Sequence, residues 1–225
     1  MLYDMIVNYW WQFLILVSVS YCVGNFCAAI FVSKRFIKQD IRQLGSKNPG
    51  TTNMTRVFGL KFGIITLVID FFKAFICVIA GKLLFTSIGG YDVGVFAGYL
   101  AALAVILGHV YPVFLGFKGG KGFASGVAAL IVLSPAFTVI ALLLGLGLLL
   151  LTDRMSLVAL FFFLIEAIYH IIIYWQGYWW LSLFATLYFA LAVISHRGNI
   201  IRLMHGEEKP LRLISMLNLS QRAQR

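Results

Sequence analysis

The sequence predicts an all-α integral membrane protein, a helical bundle with about seven transmembrane helices. Its 225 residues are 61% hydrophobic and only 12% charged, against about 45–50% and about 25% in soluble domains, and the mean hydropathy is +0.94. The apolar residues fall in runs near the ~20 residues that a helix needs to cross a bilayer. This composition excludes a disordered chain and an ordinary soluble domain. We therefore expect residues 1–225 to form a single membrane domain.

The first transmembrane helix is predicted over Trp10–Val32. No Lys or Arg precedes this run, and it is longer than the core of a cleavable signal peptide, so we interpret it as a helix that stays in the protein. Small residues recur at every fourth position at Ser20, Gly24 and Ala28. That spacing lets another helix approach closely.

Two further spans follow a basic polar stretch. The second is predicted over Phe62–Phe85 and the third over Val93–Leu107, with Gly89-Gly90 in the turn between them. The third span again carries small residues at helical spacing, which are Gly94, Gly98 and Ala102. We expect this span to pack closely against its neighbours.

The apolar stretch Gly122–Ser195 is predicted to contain four more spans. The breaks between them are Ser134-Pro135, Thr152-Asp153-Arg154 and Gln176-Gly177. The first of these segments, Gly122–Leu133, has only about 12 residues, which is short for a bilayer crossing. A re-entrant segment therefore stays open as an alternative for it.

The distribution of basic residues predicts an N-terminus outside and a C-terminus inside. The chain carries 18 Lys and Arg against 8 Asp and Glu, a net charge of +10. With this orientation every Lys and Arg except Lys73 and Lys82 falls on the inner side, as the positive-inside rule requires. We attribute the basic excess to membrane topology and expect no nucleic-acid partner.

Other features of the apolar runs are interpreted as structural. Asp70 with Lys73 at i+3, and Glu166 with His170 at i+4, are expected to form ion pairs inside the membrane. No metal-ligand spacing is present, so we expect no metal site. The cysteines are expected to be buried free thiols; they are Cys22, Cys27 and Cys77.

The first of three polar clusters on the predicted inner side is Gly45–Asn53, followed by Arg56. Its Gly, Pro and Asn residues specify a loop, and successive backbone N–H groups in such a loop form a nest for anions. Thr52 or Asn53 is expected to cap a following helix, whose N-terminus also favours phosphate. Arg56 offers a bidentate guanidinium. An ordinary solvated turn is the alternative interpretation.

The second cluster runs from Gly108-His109 to Gly122. Its glycines beside Lys118 and Lys121, at the entrance to an apolar helix, indicate a phosphate-binding loop. The spacing departs from a Walker A loop, because Leu115 and Gly122 occupy the positions that require Gly and Ser or Thr. We therefore expect no nucleotide hydrolysis. Contact of the two lysines with lipid headgroups is the alternative.

The third cluster, His196-Arg197-Gly198-Asn199, ends the last span. His196 and Asn199 are three residues apart and are expected on one helix face, where they could orient a phosphate or a hydroxyl. A hydrogen bond at the helix end is the alternative role for His196. The sequence has no Ser-His-Asp order, Cys-His pair or His-x4-Asp acyltransferase motif. No protein nucleophile is therefore evident.

These clusters resemble the motifs of the PlsY family, the bacterial membrane glycerol-3-phosphate acyltransferases that use acyl phosphate. The matching positions follow the family order, are separated by similar apolar spacers and cover about a fifth of the chain. They are Gly45-Ser46-x-Asn48-Pro49-Gly50-x-Thr52-Asn53 with Arg56; Gly108-His109-x-Tyr111-Pro112-Val113-Phe114-Leu115-x-Phe117-Lys118-Gly119-Gly120-Lys121-Gly122; and His196-Arg197-x-Asn199-Ile200-x-Arg202-Leu203 with Gly206 and either Glu207 or Glu208. Tyr111, Phe123 and Ser125 depart conservatively from the family pattern.

The resemblance implies transfer of a fatty acyl group from acyl phosphate to the sn-1 hydroxyl of glycerol 3-phosphate. The products would be lysophosphatidic acid and inorganic phosphate, in the first step of phospholipid synthesis. It further implies seven helices, no cofactor, a location in the bacterial cytoplasmic (inner) membrane among its lipids and an active site on the cytoplasmic face. A functional link to the soluble enzyme that makes acyl phosphate is expected. Because acyl phosphate is already activated, such an enzyme needs chiefly to hold two phosphate groups close together.

Residue roles are carried over from the three motifs. The expected catalytic residues are Ser46, Arg56, Lys121, His196 and Asn199. The expected substrate-binding residues are Asn48, Gly50, Thr52, Asn53, His109, Lys118, Gly119, Gly120, Gly122 and Arg197. The first loop, with Ser46, Thr52 and Asn53, is assigned to acyl phosphate, and Arg56, Lys121, His196 and Asn199 to glycerol 3-phosphate. The opposite assignment of the two phosphates stays open.

Two other classes of function stay open from the residues alone. A transporter of phosphate or an organic anion would have inverted repeats and a site at the membrane midplane. A non-catalytic scaffold would bind anionic lipids through the same lysines and arginines. Release of phosphate from acyl phosphate by the protein in detergent separates the enzyme from both.

Overall fold

The computed structural model describes residues 2–211, and it is all-helical over that range. The predicted class, a helical membrane bundle, is confirmed. In chain order the helices are α1 Leu2–Gly24, α2 Ala28–Val32, α3 Thr51–Phe58, α4 Leu60–Gly89, α5 Tyr91–Val110, α6 Phe123–Leu133, α7 Pro135–Thr152, α8 Met155–Tyr174, α9 Trp179–Ser195 and α10 Arg197–Met204. Arg212, Arg222 and Arg225, which contribute to the predicted inner charge, lie outside the described residues.

Five helical segments within 2–211 are long and apolar enough to cross a membrane. They are Leu2–Ile37, Leu60–Gly89, Tyr91–Leu115, Pro135–Thr152 and Met155–Tyr174. A sixth is present if α9 and α10, which bend by 64° at their junction, count as one span. Helix α6 is apolar but, at 11 residues, is only about 16 Å long, about half of a bilayer core. The predicted count of seven, like the orientation, stays a prediction.

The first span differs from its predicted extent. It begins at Leu2 instead of Trp10, and α1 ends at Gly24 before the chain continues through Asn25–Cys27 into α2. The Tyr21 carbonyl accepts both the Asn25 backbone N–H at 3.0 Å and the Asn25 side-chain amide at 2.7 Å, so Asn25 closes the last turn of α1 with two hydrogen bonds. The prediction of one continuous helix over this range is therefore wrong.

The backbones of helices α1 and α5 are in direct contact at two glycines. A Cβ atom on Gly24 would lie 2.4 Å from the Val105 carbonyl oxygen, and one on Gly108 would lie 2.2 Å from the Tyr21 carbonyl oxygen. Any side chain larger than hydrogen would force the helices apart. The prediction that Gly24 marks a close helix contact is confirmed, and Gly108 is its partner.

Helix α5 lies at the centre of the bundle and α7 at its edge. Of the membrane-spanning part of α5, 78% is buried, against 17% in α7. The core between α1, α4, α5 and α9 is largely aromatic: Phe13 stacks on Phe85 with centroids 4.9 Å apart, and Phe96 meets Trp180 edge-on at 5.4 Å. Exposed apolar side chains on the outer faces suit contact with lipid.

The intramembrane charges form two different arrangements. Lys73 Nζ lies 2.8 Å from Asp70 Oδ1, so the predicted ion pair is present. His170 Nδ1 is 3.7 Å from Glu166 Oε2 but donates to the Glu166 backbone carbonyl at 2.8 Å. The Glu166 carboxylate accepts a hydrogen bond from Thr138 at 2.9 Å.

The three cysteines are free; Cys27 is buried, whereas Cys22 is exposed on the bundle surface, so its predicted burial is wrong.

Chain connectivity gathers the polar clusters at one end of the bundle. Helices α5 and α9 end there, and α3, α6 and α8 begin there. Helix α5 extends to Val110, so Gly108 and His109 lie in its last turn and not in the predicted loop. Helix α9 ends at Ser195, and the chain turns at His196 into α10.

Candidate active site

All three clusters meet around one cavity of about 740 Å³. It has a polar end, where α3, α6, α8 and α10 begin, and an apolar end between α4, α6, α7 and α8. The predicted site residues that line it are Ser46, Asn48, Gly50, Thr52, Asn53, Arg56, His109, Lys121, Gly122, His196 and Asn199. The structure does not bring Lys118, Gly119, Gly120 or Arg197 into the lining.

The first loop is held by the side chain of Asn53. Its Oδ1 accepts from the Ser46 backbone N–H at 2.9 Å, and its Nδ2 donates to the Leu44 carbonyl at 3.0 Å. Gly45 has φ +58°, and a Cβ there would lie 2.3 Å from Asn53 Oδ1, so glycine suits both the backbone conformation and the space. Asn53, predicted to bind substrate, thus uses both ends of its amide to shape the loop.

Helix α3 begins at the cavity with Gly50 as its N-cap and Thr51 as its first residue. Thr52 and Asn53 lie inside the first turn, so the prediction that one of them caps the helix is wrong. Gly50 has extended backbone (φ −149°), and no side chain caps the helix end. The first N–H groups of α3 are thereby left facing the cavity, an arrangement that favours an anion.

Arg56 lies one turn further along α3 and is half-buried. Its Nη2 donates to the Lys209 carbonyl at 2.8 Å, while its buried Nε has no hydrogen-bond partner. Burial lowers the pKa of Arg56, but a guanidinium remains charged in proteins. The unpartnered donor in a cavity wall is a position for an anionic ligand.

Lys121 belongs to a network that crosses the polar end of the cavity. Its ammonium donates to Asn199 Oδ1, and Asn199 Nδ2 donates to Glu208 Oε1 at 2.6 Å. Glu208 Oε1 also accepts from Ser156 at 2.9 Å, and its Oε2 accepts from Arg202 at 2.8 Å. The amide of Asn199 is therefore oriented from both sides, with its oxygen toward the lysine.

The pKa values of Lys121 and Glu208, the two charged groups at the ends of this network, both lie below their usual values. Burial lowers the pKa of Lys121 to about 8. Burial alone would raise the pKa of Glu208, but hydrogen bonds from Asn199, Ser156 and Arg202 outweigh it and hold the pKa below its usual value. Glu208 is thus an ionised acceptor near neutral pH, and Lys121 is a cation that loses its proton more readily than an exposed lysine.

His196 stands at the corner between α9 and α10. It is only 3% exposed, and its Nδ1 donates to the Ala192 carbonyl at 2.9 Å. The His196 carbonyl accepts from the backbone N–H of Asn199 at 2.8 Å. His196 is the N-cap of α10 and Asn199 lies in its first turn, so their i, i+3 spacing brings both to the cavity, although the predicted last span bends by 64° at this point.

The sequence interpretation missed three residues of the hydrogen-bond network at the polar end. Arg202 and Glu208 lie in the third motif, where Glu207 and Glu208 were equal candidates; Glu208 is 6% exposed and hydrogen-bonded, whereas Glu207 is exposed. Ser156 carries no signal in the sequence, because a single serine in the first turn of an apolar helix is common. Its partner lies 52 residues away along the chain.

The apolar end of the cavity runs into the membrane part of the bundle. It is lined by Leu60, Leu67, Val68, Phe71, Phe72, Phe123, Val127, Leu142 and Ala159. Leu67, Val68 and Phe72 are 41–51% exposed on the outer surface, which places this end beside lipid. The arrangement suits a ligand with a charged head and an alkyl tail.

Within 2–211 no group of three His, Cys, Asp or Glu residues is placed to hold a metal ion.

Comparisons with known proteins show which family of sequences the chain resembles. The profile of the family described as Glycerol-3-phosphate acyltransferase matches residues 14–206. The chain is 38% identical over 198 residues to a glycerol-3-phosphate acyltransferase of Finegoldia magna, covering 88% of this chain and 96% of that protein. It is 35% identical over 197 residues to one of Thermoanaerobacter pseudethanolicus, covering 86% and 92%.

Solved structures show the same fold. The chain is similar to PlsY (YgiH), an integral membrane glycerol 3-phosphate acyltransferase, in its glycerol 3-phosphate form, with a TM-score of 0.76 and 33% identity. The lysophosphatidic acid form of that protein gives a TM-score of 0.74 at the same identity. Each comparison covers 88% of this chain and 95% of the solved one.

Proposed function

Since the chain belongs to the glycerol-3-phosphate acyltransferase family, we propose that it transfers a fatty acyl group from acyl phosphate to the sn-1 hydroxyl of glycerol 3-phosphate. The observation that carries the proposal is one cavity that has both a cationic, amide-rich end and an apolar end. Both proposed substrates carry phosphate, and the donor also carries an alkyl chain. Lysophosphatidic acid and inorganic phosphate are the products.

In the proposed reaction the sn-1 hydroxyl oxygen attacks the acyl carbonyl carbon, and the bond between that carbon and the phosphate oxygen breaks. The hydroxyl proton passes to an oxygen of the departing phosphate, so no protein nucleophile or separate base is needed. The protein's contribution is to align the two substrates and to offset the repulsion between their phosphates. This matches a site rich in cations and amides.

The residues of the polar end divide between the substrates. Ser46, Thr52 and the first N–H groups of α3 would hold the phosphate of the donor, whose acyl chain would lie in the apolar end. Arg56 and Lys121 would hold glycerol 3-phosphate. His196, whose Nδ1 is already engaged, and Asn199 would orient its hydroxyl.

The donor is tested with purified protein in detergent, glycerol 3-phosphate, and either palmitoyl phosphate or palmitoyl-CoA. We expect equimolar lysophosphatidic acid and inorganic phosphate from palmitoyl phosphate, both dependent on glycerol 3-phosphate, with the acyl group on sn-1. A thioester has no phosphate on its reacting carbonyl for the α3 N-terminus to align, and the proposed reaction uses no protein general base, whose help is worth about 100- to 10,000-fold. Comparable lysophosphatidic acid from palmitoyl-CoA would contradict the proposal, and no turnover without sealed vesicles would favour a transporter.

We further propose that the active site faces the cytoplasm of the bacterial inner membrane, where the soluble enzyme that makes acyl phosphate could deliver its product. The test is labelling by a membrane-impermeant thiol reagent of single cysteines on a background without the three native ones. Ser46→Cys and Glu207→Cys should react only in permeabilised cells, whereas Ser87→Cys, exposed at the opposite end of α4, should react in intact cells. The reverse labelling pattern would show that the active site faces the outside of the membrane, and would contradict the proposal.

A further inference from the structure

A buried charged cluster lies directly behind the second glycine-rich loop. Lys73 and Asp70 of α4 are 8% and 1% exposed, and His109 in the last turn of α5 is 5% exposed. Lys73 Nζ lies 2.8 Å from Asp70 Oδ1 and 2.9 Å from His109 Nδ1. It also donates to the carbonyls of Phe26 at 2.7 Å and Gly24 at 3.3 Å, in the break between α1 and α2. The proposed reaction leaves Lys73 without a role.

The contact between Lys73 and His109 fixes the orientation of the imidazole. An ammonium has only hydrogens to offer, so His109 Nδ1 must accept, and the proton of the neutral ring is on Nε2. The Asp70 carboxylate, also held by Lys73, lies 3.5 Å from the same nitrogen. Because a buried ammonium without a counter-ion is costly, Asp70 is placed as the counter-ion of Lys73, and Lys73 in turn holds the ring.

The other face of His109 supports the loop. A Cβ atom on Gly120 would lie 2.2 Å from His109 Nε2, so the loop backbone lies directly on the imidazole. The Gly120 N–H donates to the His109 carbonyl at 3.1 Å, and the Gly119 N–H donates to the Val110 carbonyl at 3.2 Å. These bonds satisfy carbonyls that the end of α5 leaves without helical partners. They also fix the path of the loop one residue before Lys121.

We propose that Lys73 and His109 are positioning residues that hold the Gly119–Lys121 segment, and thereby the Lys121 ammonium, at the polar end of the cavity. The inference deepens the proposed function, on which it rests, and it gives His109 a role other than the direct substrate contact predicted from the motif. A second link supports it: the Ser125 hydroxyl, in the first turn of α6, donates to the Asp70 backbone carbonyl at 3.0 Å. The loop is thus tied to α4 on both of its sides.

The test is a double-mutant cycle, which separates positioning from general destabilisation. His109→Leu is made alone and together with Lys121→Met, and kcat/KM for glycerol 3-phosphate is measured in each background. If His109 acts through Lys121, we expect a loss of about tenfold or more in the wild-type background and of less than about threefold without Lys121. His109→Asn, whose amide oxygen can replace Nδ1 as the acceptor, should recover part of the loss.

The matched control is His170→Leu, since His170 is also a fully buried histidine but lies outside the lining of the cavity. It should lower the melting temperature, while kcat/KM of the folded protein changes little in either background. If His109→Leu fails to fold, Lys73→Met combined with Asp70→Asn removes both buried charges. This variant is then measured with and without Lys121→Met in the same double-mutant cycle. Equal losses from the His109 or Lys73 changes with and without Lys121 would overturn the inference.

Failure of the inference is distinguishable from failure of the proposed function. Equal losses in both backgrounds, with an active wild-type protein, overturn only the positioning role. Absence of turnover of palmitoyl phosphate by the wild-type protein overturns the proposed donor. In that case calorimetric binding of glycerol 3-phosphate to the wild type, His109→Leu and His109→Asn still tests the positioning role: His109→Leu is expected to weaken binding, and binding as tight as in the wild type would overturn it.

Discussion

Replacing Lys121 with methionine is expected to lower kcat/KM for glycerol 3-phosphate by about 30- to 1,000-fold. Methionine preserves the length of the side chain and removes its charge, so the main loss is the ammonium that would offset substrate phosphate in a buried site. Loss of one such contact typically costs about 2–4 kcal/mol of transition-state stabilisation. The measurement is steady-state phosphate release at glycerol 3-phosphate concentrations well below KM.

The control for Lys121 is Lys61→Met, which removes an exposed charge from the first turn of α4. Its kcat/KM should stay within about threefold of the wild type, because exposed charges are screened by water and salt. If Lys121→Met were as active as Lys61→Met at low glycerol 3-phosphate, Lys121 would not contact the substrate.

The same lysine gives an expected pH dependence. Burial lowers the pKa of Lys121 to about 8, so the ammonium loses its proton as pH rises through that value. Because kcat/KM reports the free enzyme, it should fall above about pH 8. In Lys121→Arg the fall should disappear, since the guanidinium stays charged. If kcat/KM fell in the same way above pH 8 in the wild type and in Lys121→Arg, the fall would come from the titration of another group.

Replacing Arg56 with lysine is expected to lower kcat/KM by about 30-fold or more, although the charge is kept. Arg56 Nη2 is engaged by the Lys209 carbonyl at 2.8 Å, and its buried Nε remains available to a ligand. A lysine has one nitrogen and cannot provide both contacts or a bidentate fork. Each lost hydrogen bond to a charged group is worth about 1.5–3 kcal/mol.

The matched control is Arg35→Lys, an exposed arginine before the first loop, which should leave kcat/KM within about threefold. Arg56→Ala should be at least as impaired as Arg56→Lys. If Arg56→Lys retained full activity, a point charge would be sufficient, and Arg56 would act on the substrate only through its long-range field.

The sequence by itself was sufficient for several local features of this protein. The breaks at Ser134-Pro135, Thr152–Arg154 and Gln176-Gly177 agree with the observed helix ends, whereas the first apolar run divides into α1 and α2. The i, i+3 spacing of Asp70 and Lys73 was enough to predict their ion pair. These features depend on the helical repeat and on backbone preferences within a few residues. The three motifs likewise identified most of the residues that line the polar end.

Tertiary structure decided which of those residues meet, and in which role. Asn53 folds back on its own loop, Ser156 meets Glu208 across 52 residues of chain, and Lys121 meets Asn199 across 78 residues. Lys73 reaches His109 only because α1, α4 and α5 pack around Gly24 and Gly108. Such contacts join residues far apart in the chain, and their geometry depends on the distances and angles between packed helices. The pattern of a single helix contains no information about those quantities.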